Sequence, residues 1–165
     1  MTRPVAALIL AALILVALWL GAALLTVTVV APGAFAVLPT RALAGEMVGR
    51  VLPVVFAGAI LVPAAVLAIV PAVRRSGLAV TAGGAAAVAA AVALWVVNPR
   101  IAALRAAAVM PIDQLAASDP RRTLFGLWHG VSVALLGLAM LAIAALLVLL
   151  ARTAAGRAPS SGEAR

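Results

Sequence analysis

The sequence predicts an all-α integral membrane protein in which four spanning helices pack as a bundle. Hydrophobic residues make up 67% of the 165 positions, charged residues only 10%, and the mean hydropathy is +1.30. A soluble domain of this size cannot bury so much apolar surface. The charged residues also fall in the gaps between four long apolar runs. Lipid is therefore the solvent that this composition fits.

Each apolar run is long enough to cross the bilayer, because roughly 30 Å of hydrocarbon takes about 20 helical residues. The predicted four-span domain covers residues 1–151, with spans at about 5–30, 51–73, 78–97 and 123–151. Residues 152–165 are small and polar, and we expect them to form a disordered tail.

Local signals set the ends of these spans. Ala31-Pro32-Gly33 is predicted to close the first span, and Asn98-Pro99 to stop the third, because the residue before a proline is pushed out of the α region. The fourth span is predicted to start with Asp119 as N-cap and Pro120 at the first helical position. The first run is predicted to span rather than to be a cleaved signal peptide, because it far exceeds the roughly 7–15 apolar residues of a signal.

The third span carries a small residue at every fourth position, namely Ala79, Gly83, Ala87 and Ala91. Such a stripe lets two helix backbones approach closely. It predicts a place for this helix in the middle of the bundle, and it also offers a face for a homo-oligomer.

The basic residues are twelve arginines, against four acids, which gives a net charge of +8. Because the arginines flank the spans, they predict contact with anionic headgroups and no nucleic-acid partner. They divide equally between the two faces, so the positive-inside rule does not orient the chain. The adjacent Arg74-Arg75 in a very short loop favours an inner-membrane protein with both termini in the cytoplasm. Glu46 and Arg50 are four residues apart and predict a solvated helical ion pair.

The single histidine, His129, draws attention because the chain has no cysteine and no tyrosine. It lies about 13 Å along the fourth span from Pro120, at 1.5 Å per residue, and so below the headgroups. A polar group at that depth usually faces the bundle interior. Antiparallel packing brings the neighbouring helix ends to the same face. The residues predicted to form a polar cluster there are Arg50, Asn98, Arg100, His129 and Ser132.

This cluster favours a non-enzymatic binding or structural module that engages an anionic lipid, a small anion or a partner protein. No acid outside the loops is available to orient the histidine for hydrolysis. The competing interpretation is that His129 hydrogen-bonds a backbone carbonyl while the arginines reach the headgroups.

Two further alternatives stay open. In the first, His129 is a haem or metal ligand, but one histidine supplies one ligand and no methionine has a distinctive spacing, so no cofactor is predicted. In the second, the chain is an oligomeric small-molecule exporter, because four helices would need partners to enclose a path.

Several short motifs, from Trp19 to Ser132, resemble the transmembrane protein 205-like family, which is classed as domain of unknown function 4149. The matching elements are Trp19-Leu20-Gly21, Phe35, Leu38-Pro39, Gly45, Leu52-Pro53, Phe56, Pro99-Arg100, Phe125, Trp128-His129-Gly130 and Ser132. The resemblance implies a bacterial member with a four-helix membrane domain of unsettled biochemistry. A looser likeness in layout to copper-resistance and haem-associated membrane proteins is the source of the cofactor alternative.

The chain departs from the family pattern in two places. Val54-Val55 stands where the family often has an aromatic pair, and Leu136 replaces an asparagine seven residues after the histidine. The second change argues against a hydrogen-bond relay along the fourth helix.

Overall fold

The structure is a computed structural model that describes residues 3–156, and all of the regular elements in that range are helical. These are α1 (Arg3–Leu25), α2 (Ala31–Val37), α3 (Arg41–Ile69), α4 (Pro71–Arg74), α5 (Gly77–Val92), α6 (Asn98–Ala106) and α7 (Pro120–Ala155), with a 3-10 turn at Ile112–Gln114. Four stretches are long and apolar enough to cross a membrane: Pro4–Val37, Arg41–Ile69, Gly77–Ala106 and Pro120–Ala155. The predicted all-α, four-helix membrane fold is confirmed.

The long helices pack as a ring in which successive spans run in opposite directions. α1 lies against α3 and α7, and α5 also lies against α3 and α7. This arrangement brings the start of α1 and the end of α7 to one side of the bundle. The other side, which we call the distal face, holds the end of α2, the start of α3, the end of α6 and the start of α7.

The core is built on a spacing that alternates three and four residues, which keeps one stripe of each helix turned inward. On α1 the buried residues are Ile9, Ala12, Val16, Trp19 and Ala23. On α7 they are Ser132, Leu136, Ala139, Ile143, Leu146 and Leu150. On α5 the buried face is made only of alanine and glycine. The small residues allow α5 to approach its neighbours closely.

The close approach is tightest where Gly83 of α5 meets α3. A Cβ atom on Gly83 would lie 3.1 Å from Cδ1 of Leu67 and 3.2 Å from Cβ of Pro63. Ala79 is also buried, whereas Ala87 is partly exposed. Part of the small-residue stripe is therefore used inside the bundle, and a homo-oligomer through this face stays a prediction.

Two spans continue through the prolines that were expected to end them. The first runs through Pro32 to Val37, and the third runs through Pro99 to Ala106. In each case a five-residue π-helical turn comes first, at Thr26–Val30 and at Ala93–Val97. The backbone N–H that follows each turn donates to the carbonyl oxygen five residues back, from Ala31 to Thr26 and from Asn98 to Ala93. We attribute the continuation to this wider turn, which accommodates a ring that has no N–H to donate.

The second span begins at Arg41 rather than Val51, and Thr40 caps it by accepting a 3.2 Å hydrogen bond from the N–H of Leu43. Charge does not stop this helix, because Glu46 and Arg50 lie on its exposed side. They form the predicted ion pair, at 2.6 Å.

The fourth span begins as predicted, with Asp119 as N-cap and Pro120 at the first helical position. It then continues to Ala155, so residues 152–155 of the predicted tail are helical. Residues 157–165 of that tail lie outside the described range.

Candidate functional site

Along α6 and α7 the buried core stops short of the distal face and leaves a cavity there, whereas a small buried cluster of Ala34, Ala44 and Val48 packs α2 on α3. Ser132 is the first buried residue on α7, twelve positions after the helix starts, and α6 has no buried residue. The walls of the cavity come mainly from α3, α6 and α7, with Phe35 of α2 beside them. Its volume is about 970 Å³. Pockets of roughly 300–1,000 Å³ are typical of small-molecule sites.

Charged side chains line the part of the cavity nearest the helix ends and the loop that joins α6 to α7. They are Arg41, Glu46, Arg105, Asp113 and Arg122. Three arginines and two carboxylates give this rim a formal charge of +1. The rim therefore favours an anion, and its two carboxylates disfavour a multiply charged one.

Arg105 bridges the three walls of the cavity. Its Nη1 donates a 3.4 Å hydrogen bond to the carbonyl oxygen of Gly45 on α3, and its Cζ lies 5.3 Å from the ring centroid of Phe125 on α7. A Cβ atom on Gly45 would lie 3.0 Å from Nη2, and one on Gly49 would lie 3.3 Å from Nη1. The two glycines, one helical turn apart, therefore leave the space that the guanidinium occupies.

Neither Arg105 nor Arg122 forms an ion pair, since the two salt bridges found among residues 3–156 are Arg50–Glu46 and Arg121–Asp119. The Nη1 atom of Arg122 donates a 3.0 Å hydrogen bond to the carbonyl oxygen of Leu115. A guanidinium carries five N–H donors, so both side chains retain donors for a ligand.

Uncharged polar side chains line the cavity farther from the helix ends. These are Asn98, His129 and Ser132, three of the five residues predicted from the sequence. The imidazole of His129 stacks on Phe125, with ring centroids 6.2 Å apart and an angle of 5° between the planes. It makes no hydrogen bond to a backbone carbonyl within the described part of the chain.

Arg50 and Arg100, the other two predicted residues, lie outside the cavity. Arg50 pairs with Glu46, and its side chain is 79% exposed. Arg100 lies over the ring of Trp128, with Cζ 4.5 Å from the centroid, beside a separate cleft of about 380 Å³. Residue 100 is about 200° around the helix from Asn98, at 100° per residue, so the two side chains take opposite sides of α6.

The α6–α7 loop is held to the start of α7 by hydrogen bonds. Arg121 donates through Nη1 to the carbonyl oxygen of Ala107 at 3.3 Å and through Nη2 to Oδ2 of Asp119 at 2.8 Å. The side-chain bonds from Arg121, followed by its backbone N–H, hold the pKa of Asp119 below its usual value. These contacts fix the loop residues that form the cavity rim.

No group of three or more His, Cys, Asp or Glu side chains that could hold a metal ion occurs between residues 3 and 156. The single histidine stacks on the ring of Phe125 instead.

Comparison with protein families identifies the family of this chain. The family described as "Domain of unknown function (DUF4149)" matches residues 14–110, which include all of α2 to α6 and about half of α1. The α3 and α6 walls of the cavity fall inside this match, whereas the α7 wall, with His129 and Ser132, lies beyond it. The searches of curated proteins and of solved structures each found no match.

Proposed function

The chain belongs to the DUF4149 family, whose function is unknown, and we propose that it is a non-enzymatic binding module of the membrane. Its distal cavity holds the anionic group of a ligand between Arg105 and Arg122. The observation that carries this proposal is that both guanidiniums line an open cavity in a membrane helix bundle and neither forms a salt bridge within the described chain.

The surroundings of Arg105 support an anion as the missing partner. Its one hydrogen bond is long, at 3.4 Å, and goes to a neutral carbonyl. The rest of its environment is the Phe125 ring, the glycine surface of α3 and the charge of Glu46, which attracts the guanidinium without forming a salt bridge. A guanidinium between apolar walls gains most from a carboxylate or phosphate, which accepts two parallel hydrogen bonds.

The arginines outside the cavity lack this arrangement. Arg121 already pairs with Asp119, and Arg50 with Glu46. Arg100 lies on the Trp128 ring at an open surface. Arg105 therefore has a matched control on its own helix, because Arg105 and Arg100 carry the same charge on opposite sides of α6.

The experiment is to purify the wild type, Arg105→Gln and Arg100→Gln in mild detergent and to identify bound lipids and small anions by mass spectrometry. We expect the wild type and Arg100→Gln to retain an anionic molecule that Arg105→Gln loses by about tenfold, the cost of one charge-assisted hydrogen bond. Equal recovery from all three proteins contradicts the proposal. Arg122→Gln provides a second test from the opposite wall.

We also propose that the termini lie in the cytoplasm of an inner-membrane protein, which makes the cavity open toward the opposite side. The support is the Arg74-Arg75 pair in the short connection between α3 and α5, because arginine in short loops favours the cytoplasmic side. A fluorescent reporter fused after residue 165 should mature. If alkaline phosphatase fused at the same position is active, the termini lie on the periplasmic side and the proposed orientation is wrong.

A further inference from the structure

The cavity is polar at two levels, and we propose that its ligand is a glycerophospholipid. The phosphate meets Arg105 and Arg122 at the rim, while the ester-linked glycerol region lies deeper, against Asn98, His129 and Ser132. This inference rests on the proposed function and names the ligand of the same site.

The two levels follow from positions along the helices. On α7, His129 and Ser132 come seven and ten residues after Arg122, which places them about 10 and 15 Å farther from the distal face at 1.5 Å per residue. On α6, which runs the other way, Asn98 comes seven residues before Arg105. Antiparallel packing therefore brings the charged groups to one level and the uncharged polar groups to a deeper one.

The deeper groups have hydrogen-bonding capacity that the described chain does not use. The hydroxyls of Thr26, Thr28 and Thr81 each bond to a carbonyl of their own helix four residues back, at 2.8 to 2.9 Å. Within the described chain, Asn98, His129 and Ser132 make no such bond, and the polar atoms of Asn98 and Ser132 are accessible from the cavity rather than sealed in the core. A polar group below the headgroups is costly without a partner. These three side chains therefore point to a ligand with hydrogen-bonding atoms of its own.

A glycerophospholipid has this order of groups. Its phosphate lies outermost, the ester carbonyls lie below the phosphate, and the acyl chains lie below the esters. N–H and O–H donors at the deeper level suit the carbonyls, and Leu52 and Pro53, at about the depth of Ser132, supply apolar wall at the inner end of the cavity. A free phosphate satisfies the rim alone, leaves the deeper groups without partners, and occupies little of the 970 Å³. The two levels and the volume thus favour a lipid over a small anion.

The test measures dissociation constants by native mass spectrometry of the full chain in mild detergent. The three probes are ester-linked phosphatidylglycerol, its ether-linked analogue, which keeps the phosphate but has no carbonyls, and inorganic phosphate. The proteins are the wild type, Arg105→Gln, Ser132→Ala, Asn98→Leu and the control Thr28→Ala, whose hydroxyl bonds its own helix. Melting curves verify that each variant is folded.

We expect the wild type and Thr28→Ala to bind the ester lipid about fivefold more tightly than the ether lipid, the effect of about one net hydrogen bond. Ser132→Ala, which is nearly isosteric, and Asn98→Leu should each reduce this ratio. Arg105→Gln should weaken both lipids equally.

The failures are distinguishable. Equal ester and ether affinities in the wild type, with both still weakened by Arg105→Gln, overturn the glycerolipid assignment and leave the anion site standing. Phosphate binding as tight as lipid binding assigns the site to a small anion instead. Lipid binding that is unchanged in Arg105→Gln overturns the proposed function itself.

Discussion

The indole Nε1 of Trp19 donates a 3.0 Å hydrogen bond to the backbone carbonyl oxygen of Val55 and so joins α1 to α3 within the core. The ring reaches that carbonyl by lying against Gly58. A Cβ atom on Gly58 would lie 2.5 Å from Cδ1 and 2.6 Å from Nε1 of the indole. The hydrogen bond therefore depends on the absence of a side chain at position 58.

We predict that Gly58→Ala destabilises the bundle by about 1–3 kcal/mol, the usual cost of overpacking a core. The added methyl group has to displace the indole, which weakens its bond to Val55. The measurement is the melting temperature in mild detergent. Gly84→Ala is the control, because a Cβ there meets nothing within 4 Å, and alanine is the better helix former by roughly 0.5–1 kcal/mol. Equal melting temperatures for the two variants would contradict the packing described.

The neighbouring pair Gly83 and Gly84 tests the contact between α5 and α3. We predict that Gly83→Val lowers the melting temperature well below that of Gly84→Val. Both changes carry the same intrinsic helix preference, but only Gly83 lies against Leu67 and Pro63. A difference of about 1–3 kcal/mol is expected from overpacking. If the two valine variants melt together, the small-residue face of α5 does not pack on α3.

The number of spans could be predicted from the sequence because an uncharged apolar run of about 20 residues is typical of a transmembrane helix. The helix ends could not, because hydropathy reports where lipid ends rather than where the backbone stops being helical. Arg41 to Arg50 are helical outside the apolar run, since their charges lie in solvent at the distal end. Pro99 was expected to end a helix, but the π turn before it, which no local pattern announced, lets the helix continue.

The sequence could predict how far along the helices the cavity-lining residues lie, but not which way they face around each helix axis. Asn98, His129 and Ser132 were placed at one face from their distance to the helix ends, and the structure brings all three to one cavity. Helical phase favours Arg105 over Arg100 as the neighbour of Asn98, because residue 105 returns to within about 20° of Asn98 after seven residues. The seven-residue spacing between Asn98 and Arg105 is visible in the sequence. Arg122 lies on another helix, so its place in the same cavity as Arg105 depends on packing that no local pattern contains.

Asp119 makes the stability of the folded bundle depend on pH. Its pKa is held below the usual value in the folded chain, chiefly by the Arg121 side chain, so its stabilisation is present above the unfolded pKa of about 3.9. It is lost as the pH falls through the lower, folded pKa. We predict that Asp119→Asn, which keeps a capping oxygen, melts below the wild type at pH 7 and that the gap closes toward pH 3.

The control for this titration is Asp113→Asn in the same loop, because Asp113 forms no salt bridge within residues 3–156. Asp113→Asn should melt with the wild type at pH 7, where Asp119→Asn melts below it. A gap between the wild type and Asp119→Asn that stays constant down to pH 3 would show that the carboxylate does not act through its charge.

Phe125 and Trp128 are one helical turn apart on α7, and each lies under a different arginine, Arg105 for Phe125 and Arg100 for Trp128. Only the first arginine lines the cavity. We predict that Phe125→Leu weakens the binding of an anionic amphiphile by about two- to fivefold, because an exposed cation–π contact is worth roughly 0.5–1 kcal/mol and holds the guanidinium in place. Trp128→Leu should leave the dissociation constant unchanged. Titration of both variants by native mass spectrometry makes the comparison, and a loss in Trp128→Leu as large as that in Phe125→Leu would move the binding site to the outer side of α6.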